Sequence, residues 1–188
     1  MPQPIDPITN NHLTIFGAIV HQFARFERLI EETIHELLGA KQLAVTAMTL
    51  SALSYSNKKE ALLSLLGIYD IKGVDGDKIK KYVTDFNAHS YLRNHIAHHT
   101  WIEGTRPGSI KPATISSRGG KLKVTGVLDS DQDYTISELD GIVRQLIQLA
   151  TDFDSYMEKV GSARAIAKKI SRTKSGSSGS PESPSKNP

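Results

Sequence analysis

The chain has 188 residues and a formal net charge of +3, and it contains no cysteine. This length suits one domain with a tail and buries a sizeable core without disulfide or metal cross-links. The lack of thiols excludes disulfide bonds, thiolate zinc sites and cysteine nucleophiles. No apolar run approaches the roughly 20 residues of a membrane span, and the N-terminal MPQPIDPITNN lacks the features of a signal peptide. We therefore expect a cytoplasmic protein that does not contact a membrane.

The excess of positive charge lies in the C-terminal segment. From Gly161 onward there are six Lys or Arg residues and one acidic residue, which leaves 17 basic and 19 acidic residues in the rest of the chain. The composition therefore does not indicate a positive face on the folded domain, and net charge is weak evidence for a nucleic-acid partner.

The first long helix is predicted from about Leu13 to Leu38, and Gly39 follows at the position favoured just past a helix end. At 100° per residue, Glu27 falls inside the apolar stripe of this helix, within about 40° of Phe23. The stripe comprises Phe16, Ile19, Val20, Phe23, Phe26, Ile30, Ile34, Leu37 and Leu38.

The next segment is predicted to be helical in its second half. Asn57 and Glu60 have the spacing of a capping box ahead of the sequence ALLSLLGIY. Between Leu43 and Tyr55, Val and Thr compete with Ala, Met and Leu, so a short helix and a bent approach are both open.

A third helix is predicted from near Asp77 to about His99, with Ile79, Tyr82, Val83, Phe86 and Ala97 on one apolar face. In this helix Arg93 projects within about 20° of Phe86, near the middle of that face. His98 lies roughly 120° from Phe86, and Asn94 shares a side with His98 because the two are four residues apart.

A β-hairpin is predicted after this helix, because two short alternating runs flank Gly119-Gly120. Thr135 and Glu138 then have the spacing of a second capping box. It opens a final helix from about Ile136 to Val160, a pattern that can continue through ARAIAKKI. The core side of this helix comprises Leu139, Ile142, Val143, Leu146, Ala150, Phe153 and Met157.

These elements predict an all-α fold, a four- to five-helix up-and-down bundle with a small β-hairpin inserted before the last long helix. Residues 1–11 form an N-terminal extension. Residues 12–160 form the helical domain, with the hairpin insertion at about 105–134. Residues 161–188 form a basic tail rich in Ser, Pro and Gly, which we expect to be disordered.

Glu27 and Arg93 each place a charge where the helical period calls for an apolar residue. A buried charge without a partner costs several kcal/mol, so two arrangements are open. In the first, the two side chains form one structural ion pair. In the second, both face a cleft between helices or subunits, where a ligand brings the compensating charge. The planar guanidinium group suits a phosphate.

His95, His98 and His99 crowd the end of the third helix. His95 and His99 have the i, i+4 spacing of ligands in helical metal sites, but the sequence has no HExxH pattern and no obvious third ligand. A metal-dependent hydrolase built on these histidines is therefore the weakest interpretation. We predict neither a metal nor another cofactor.

The stretch RNHIAH, residues 93–98, resembles the signature of the HEPN superfamily. That signature is an arginine, usually followed by a polar residue, with a histidine four to six positions further on, near the end of a bundle helix. Arg93, Asn94 and His98 match the form with four intervening residues. The resemblance covers roughly residues 12–160 and leaves out the hairpin and the tail.

The resemblance implies a metal-independent endoribonuclease, of the kind found among toxins and phage-defence effectors. It implies a homodimer in which both motifs meet in a shared cleft, with RNA as the substrate and a 2′,3′-cyclic phosphate as the product. An antitoxin or regulatory protein is a further expected partner.

The same resemblance implies roles for individual residues. His98 is the general base on the ribose 2′-hydroxyl, and Arg93 holds the scissile phosphate. Asn94 orients the site or binds the phosphate, and Glu27 aligns Arg93. Together with Arg93, His95 and His99 are expected to contact the RNA.

A second interpretation is a HEPN-like dimerisation module without nuclease activity, which binds RNA, a nucleotide or a protein partner. The presence of every motif residue slightly favours catalysis, but an Arg–Glu pair with a purely structural role suits the same residues.

Overall fold

The computed structural model describes residues 7–38, 43–68, 74–118, 121–125 and 133–175. The described chain is mostly helical with a small antiparallel sheet, which confirms the broad fold class predicted from the sequence. In chain order the elements are α1 (Asn10–Leu38), α2 (Leu43–Ser51), α3 (Tyr55–Ile68), α4 (Gly76–Asn87), α5 (Ser90–His98), β1 (Thr100–Glu103), β2 (Ser109–Arg118), β3 (Lys121–Thr125), β4 (Tyr134–Thr135) and α6 (Ile136–Ser175).

Helix α1 is the central element, and α2, α3, α5 and α6 all pack against it. Its predicted apolar stripe is confirmed over most of its length. Val20 and Leu38 are the exceptions, with 38% and 43% of their surface exposed. The stripe is therefore narrower than the periodicity suggested. Its buried members are Phe16, Ile19, Phe23, Phe26, Ile30, Ile34 and Leu37.

Stacked aromatic rings join α1, α4 and α6 at the centre of the core. The rings of Phe26 and Phe86 are nearly parallel, with centroids 3.8 Å apart. Phe23 meets Phe86 at 4.8 Å, and Phe153 meets Phe26 at 5.1 Å. Such contacts add to the free energy gained from burying the rings, so this cluster fixes how the three helices pack.

Helix α3 begins earlier than the predicted capping box. The Ser54 hydroxyl accepts a hydrogen bond from the backbone N–H of Asn57 at 3.3 Å, so Ser54 is the cap and Asn57 is the third helical residue. The box assigned to Asn57 and Glu60 is therefore wrong. Serine is as good an N-cap as asparagine, and the chain uses the one that comes first.

Two helices, α4 and α5, replace the single predicted helix over 77–99. The Asp75 side chain caps α4 by accepting from the Lys78 N–H at 3.1 Å. A turn at Ala88-His89 then separates α4 from α5. Because the turn breaks the helical period, the predicted alignment of Arg93 with Phe86 is wrong. Arg93 is only partly buried.

The predicted hairpin is confirmed by the antiparallel pairing of β2 with β3, in which Arg118 faces Lys121. The intervening Gly119-Gly120 lies outside the described residues. Strands β1 and β4, which the sequence did not predict, both pair with β2. Trp101 on β1 packs against Phe16 of α1, with ring centroids 4.8 Å apart, so the sheet is fastened to the helical core.

The second capping box is confirmed at the start of α6. The backbone N–H of Thr135 donates to the Glu138 carboxylate at 2.8 Å, and the Glu138 N–H donates to the Thr135 hydroxyl at 3.3 Å. Helix α6 continues through ARAIAKKI to Ser175, while residues 176–188 lie outside the described residues. The predicted core side is buried, except that Ile142 is half-buried.

In the part of the chain that the structure describes, no helix combines the length and apolar character needed to cross a bilayer.

The loop between β1 and β2 is held by a buried carboxylate. Asp133 accepts hydrogen bonds from Thr105, from the Arg106 N–H at 3.1 Å and from the Ser109 hydroxyl at 3.2 Å. Burial would raise the pKa of Asp133, but these hydrogen bonds lower it. Gly104 allows the close approach, because a Cβ at this position would lie 2.1 Å from the Ser109 oxygen.

The same loop is tied to α6 by a two-pronged ion pair. The Arg106 guanidinium donates to both carboxylate oxygens of Glu138 at 2.8 Å. These bonds, together with those of the capping box, lower the pKa of Glu138 to about 2. The sheet and the last helix are therefore joined through one loop.

We expect Asp133→Ala to lower the free energy of unfolding by about 2–3 kcal/mol, because several donors lose a charged acceptor. Urea denaturation at pH 7 measures the loss. Glu103→Ala is the matched control, since Glu103 is an exposed carboxylate on β1, and it should change stability by less than about 0.5 kcal/mol. Equal stability of the two variants would contradict this account of the loop.

Candidate functional site

A cleft of about 620 Å³ lies where α1, the start of α3 and the α4–α5 junction meet. It contains both charged residues that the sequence placed on apolar helix faces, Glu27 and Arg93. Its walls are formed by Val20, Phe23, Ala24 and Glu27 of α1, by Ser54, Tyr55, Ser56 and Lys59, and by Asn87, Ser90, Arg93 and Asn94.

The guanidinium of Arg93 donates a hydrogen bond to the side-chain oxygen of the neighbouring Asn94 at 3.2 Å. Within the described ranges no carboxylate lies within 4.0 Å of Arg93. Its positive charge is therefore not neutralised by the protein, and its remaining donors are available to an anion in the cleft.

The structural Glu27–Arg93 ion pair is not formed, and that interpretation is wrong. Glu27 instead lies 2.5 Å from the ammonium of Lys58, which also lies 2.6 Å from Glu31. The Lys58 side chain is only 5% exposed. Burial opposes its charge, but the hydrogen bonds to the two glutamates raise its pKa. Glu27 also does not contact Arg93 directly, as the role of aligning it would require.

The Tyr55 ring forms part of the cleft wall and packs edge-on against Phe23, with centroids 6.4 Å apart. Its hydroxyl is buried and has no hydrogen-bond partner among the described residues. Burial and, to a smaller extent, the charge of Glu27 raise the pKa of Tyr55, so the hydroxyl keeps its proton. A buried donor without a partner is costly.

His98 lies in the last turn of α5, is exposed and does not line the cleft. Five residues along a helix correspond to a rotation of about 140°, so His98 and Arg93 project to different sides of α5. Within one chain, the structure does not bring the two motif residues together, whereas it does bring Arg93 and Asn94 together.

His95 and His99 belong to a packed ring cluster rather than to the open surface. The His95 ring lies 3.9 Å from that of Tyr91 and 4.4 Å from that of His99, and His95 is 7% exposed. Burial, and then the neighbouring His99, lower the pKa of His95. A ring enclosed in this way does not contact RNA at the surface, and His99 is itself half-buried.

In the described residues, no three histidine or carboxylate side chains converge closely enough to hold a metal ion. The i, i+4 pair of His95 and His99 packs ring against ring and is not joined there by a third ligand.

Sequence reasoning missed Lys58 and Tyr55. A signal for Lys58 was present, because it lies one helical turn before the fully buried Leu62 and so shares its face of α3. For Tyr55 the signal was weak, since the residue sits at the first position of a helix whose start was placed two residues too late.

Comparisons of the chain with protein-family models, with curated proteins and with solved structures give no match. The HEPN resemblance therefore depends on residues 93–98 and on their helical surroundings.

We expect Lys58→Met to lower the free energy of unfolding by about 2 kcal/mol, because it leaves Glu27 and Glu31 repelling each other without a counter-ion. The figure is below that for a fully buried pair, since the two glutamate side chains are 32% and 27% exposed. Urea denaturation measures the change.

Two further variants test the cause of this loss. Lys81→Met removes a surface lysine that pairs with Asp85 and is 74% exposed, so it should have little effect. Adding Glu27→Gln and Glu31→Gln to Lys58→Met should recover most of the stability. A Lys58→Met protein as stable as the Lys81→Met protein would refute this role.

We expect stability to fall as the pH drops below about 6.5, because His95 binds a proton more readily in the unfolded chain than in its buried site. His95→Phe should therefore show a shallower loss of melting temperature between pH 7 and pH 5. Part of the slope should remain, since burial also lowers the pKa of His12 and His89. His21→Gln, at an exposed position, should keep the wild-type slope, and an unchanged slope in His95→Phe would be the contrary result.

Proposed function

We propose that this protein is a metal-independent endoribonuclease of HEPN type that acts as a homodimer. The observation that carries the proposal is the guanidinium of Arg93, which faces an open cleft without an acidic partner in the described structure. The motif RNHIAH supplies the remaining chemistry. The up-and-down order of the bundle and a cytoplasmic location belong to the same proposal.

Arg93 is suited to hold the phosphate that is cleaved. A guanidinium keeps its charge at all physiological pH values and presents donors in a plane that matches two phosphate oxygens. Asn94 accepts one hydrogen bond from it at 3.2 Å and so limits its orientation. A fixed cation of this kind stabilises the negative charge that develops on the phosphorus oxygens in the transition state.

His98 is suited to exchange the proton. Histidine is the side chain that gains and loses a proton nearest neutral pH, and His98 is exposed to an incoming substrate. It takes the proton of the ribose 2′-hydroxyl, and the 2′ oxygen attacks the adjacent phosphorus. The bond to the 5′ oxygen breaks, and that oxygen receives a proton from an imidazolium. The products are a 2′,3′-cyclic phosphate and a 5′-hydroxyl.

A second copy of the chain supplies the missing geometry. Because His98 and Arg93 of one chain project to different sides of α5, the proposed site combines His98 of one protomer with Arg93 of the other. Apolar side chains on these surfaces favour such a contact: Leu13 is 58% exposed, Val20 38% and Tyr91 52%. Val20 also lines the cleft.

The second candidate is a HEPN-like dimerisation module that binds RNA, a nucleotide or a protein partner without cleaving RNA. The position of His98 outside the cleft favours it, as does the engagement of Glu27 by Lys58. A role as a toxin or phage-defence effector, with an antitoxin or regulatory protein as partner, derives from the resemblance alone.

We expect the purified protein to cleave single-stranded RNA in the presence of EDTA. Arg93→Ala and His98→Ala should each reduce the rate by about 100-fold or more, the usual loss for a transition-state donor or a general base. Gel electrophoresis measures the rate, and mass spectrometry identifies the cyclic phosphate. His21→Ala, a variant of an exposed histidine on α1, should cleave normally.

Mixing the two inactive variants tests the shared site. A mixed dimer of Arg93→Ala and His98→Ala chains contains one site with both functional groups, so equimolar mixing should restore part of the activity. Intact RNA at all protein concentrations, with dimers present by light scattering, would instead support the binding module. Cleavage that EDTA abolishes would contradict the proposed chemistry.

A further inference from the structure

The cleft beside Arg93 extends well beyond what one phosphate requires. Its volume of about 620 Å³ falls in the range of roughly 300–1,000 Å³ typical of small-molecule pockets. The wall away from Arg93 is apolar and includes Val20, Phe23 and Ala24. A ligand that fills the cleft therefore combines a charged group with a larger, less polar body.

The charges of the cleft select an anion at one end. Glu27 is the acidic residue of the lining, and Lys58 lies 2.5 Å from it, so its negative charge is compensated. Lys59 also lines the cleft, although it pairs with Glu60 at 3.2 Å. Arg93 is left as the group that an anion neutralises.

The uncharged polar groups suit a flat heteroaromatic ring. The Tyr55 hydroxyl is buried and unpartnered among the described residues, and Asn87 and Ser90 line the opposite side. A nucleobase has apolar faces and carries donors and acceptors along its edges, so it fits an apolar wall that ends in hydroxyl and amide groups. A sugar lacks the apolar faces, and a fatty acid lacks the polar edges.

We propose that this cleft binds one unpaired nucleotide of an RNA strand, with its base between α1 and the α4–α5 junction and its phosphate on Arg93. The inference rests on the proposed function and names its substrate class, which is single-stranded RNA. A base in a duplex is stacked and paired, so it reaches such a cleft only after leaving the helix.

Binding of small probes by the wild-type protein is the first test. The probes are the four ribonucleosides, their 3′- and 5′-monophosphates, ribose 5-phosphate and inorganic phosphate, measured by calorimetry. At least one nucleoside monophosphate should bind more tightly than ribose 5-phosphate, and the preferred phosphate position shows which side of the base faces Arg93. Equal binding of all the phosphates would overturn the inference.

Variants separate the base from the phosphate. Ala24→Leu adds bulk inside the cleft and should weaken binding of the nucleoside and its monophosphate alike, by about tenfold or more. Arg93→Gln should leave nucleoside binding unchanged and remove the advantage of the monophosphate. Ala47→Leu, the same change at an exposed position on α2, should bind as the wild type does. An Ala24→Leu protein that binds normally would refute the pocket.

Cleavage assays distinguish failure of this inference from failure of the proposed function. Cleavage of single-stranded RNA but not of a matched duplex, reduced in Ala24→Leu, supports both proposals. Equal cleavage of duplex and single strand would refute the pocket and leave the nuclease intact. Nucleotide binding with the expected variant pattern but without RNA cleavage would support the pocket and refute the nuclease.

Discussion

The ammonium of Lys58, held between Glu27 and Glu31, is the constraint on which the candidate site depends. It fixes the first turn of α3 against two successive turns of α1. A buried set of charges of this kind does more to specify one arrangement than to add stability. It brings Tyr55 and Lys59 to the wall of the cleft and compensates the negative charge of Glu27. An anion that enters the cleft therefore meets Arg93 without strong repulsion.

The parts of the fold that could be predicted from the sequence are those with local signals. The apolar period of α1, the paired glycines of the hairpin and the box of Thr135 and Glu138 each involve residues close together in the chain. Strands β1 and β4 gave no such signal. They exist because Thr100 pairs with Ala113 and Thr135 with Ser109, contacts that form only when distant segments meet.

The candidate site was predicted in part. The period of the helices placed Glu27 and Arg93 on inward faces, and both do line one cleft. Their proposed pairing failed because Lys58 competes for Glu27 from a helix whose orientation the sequence did not define. The direction of Arg93 was wrong because the turn at Ala88-His89 resets the helical phase. The distance from His98 to a partner's arginine depends on a second chain, so no single sequence determines it.

Helix α5 has only nine residues, with the Ala88-His89 turn at one end and β1 beginning two residues after the other. The residues of the RNHIAH motif therefore sit on a segment whose rotation is independent of the stacked phenylalanines. Lengthening that turn by one residue would swing α5 by about 100° while leaving the aromatic packing in place. The scaffold and its reactive groups are thus free to diverge separately, and related chains can keep the same interior while presenting quite different chemistry.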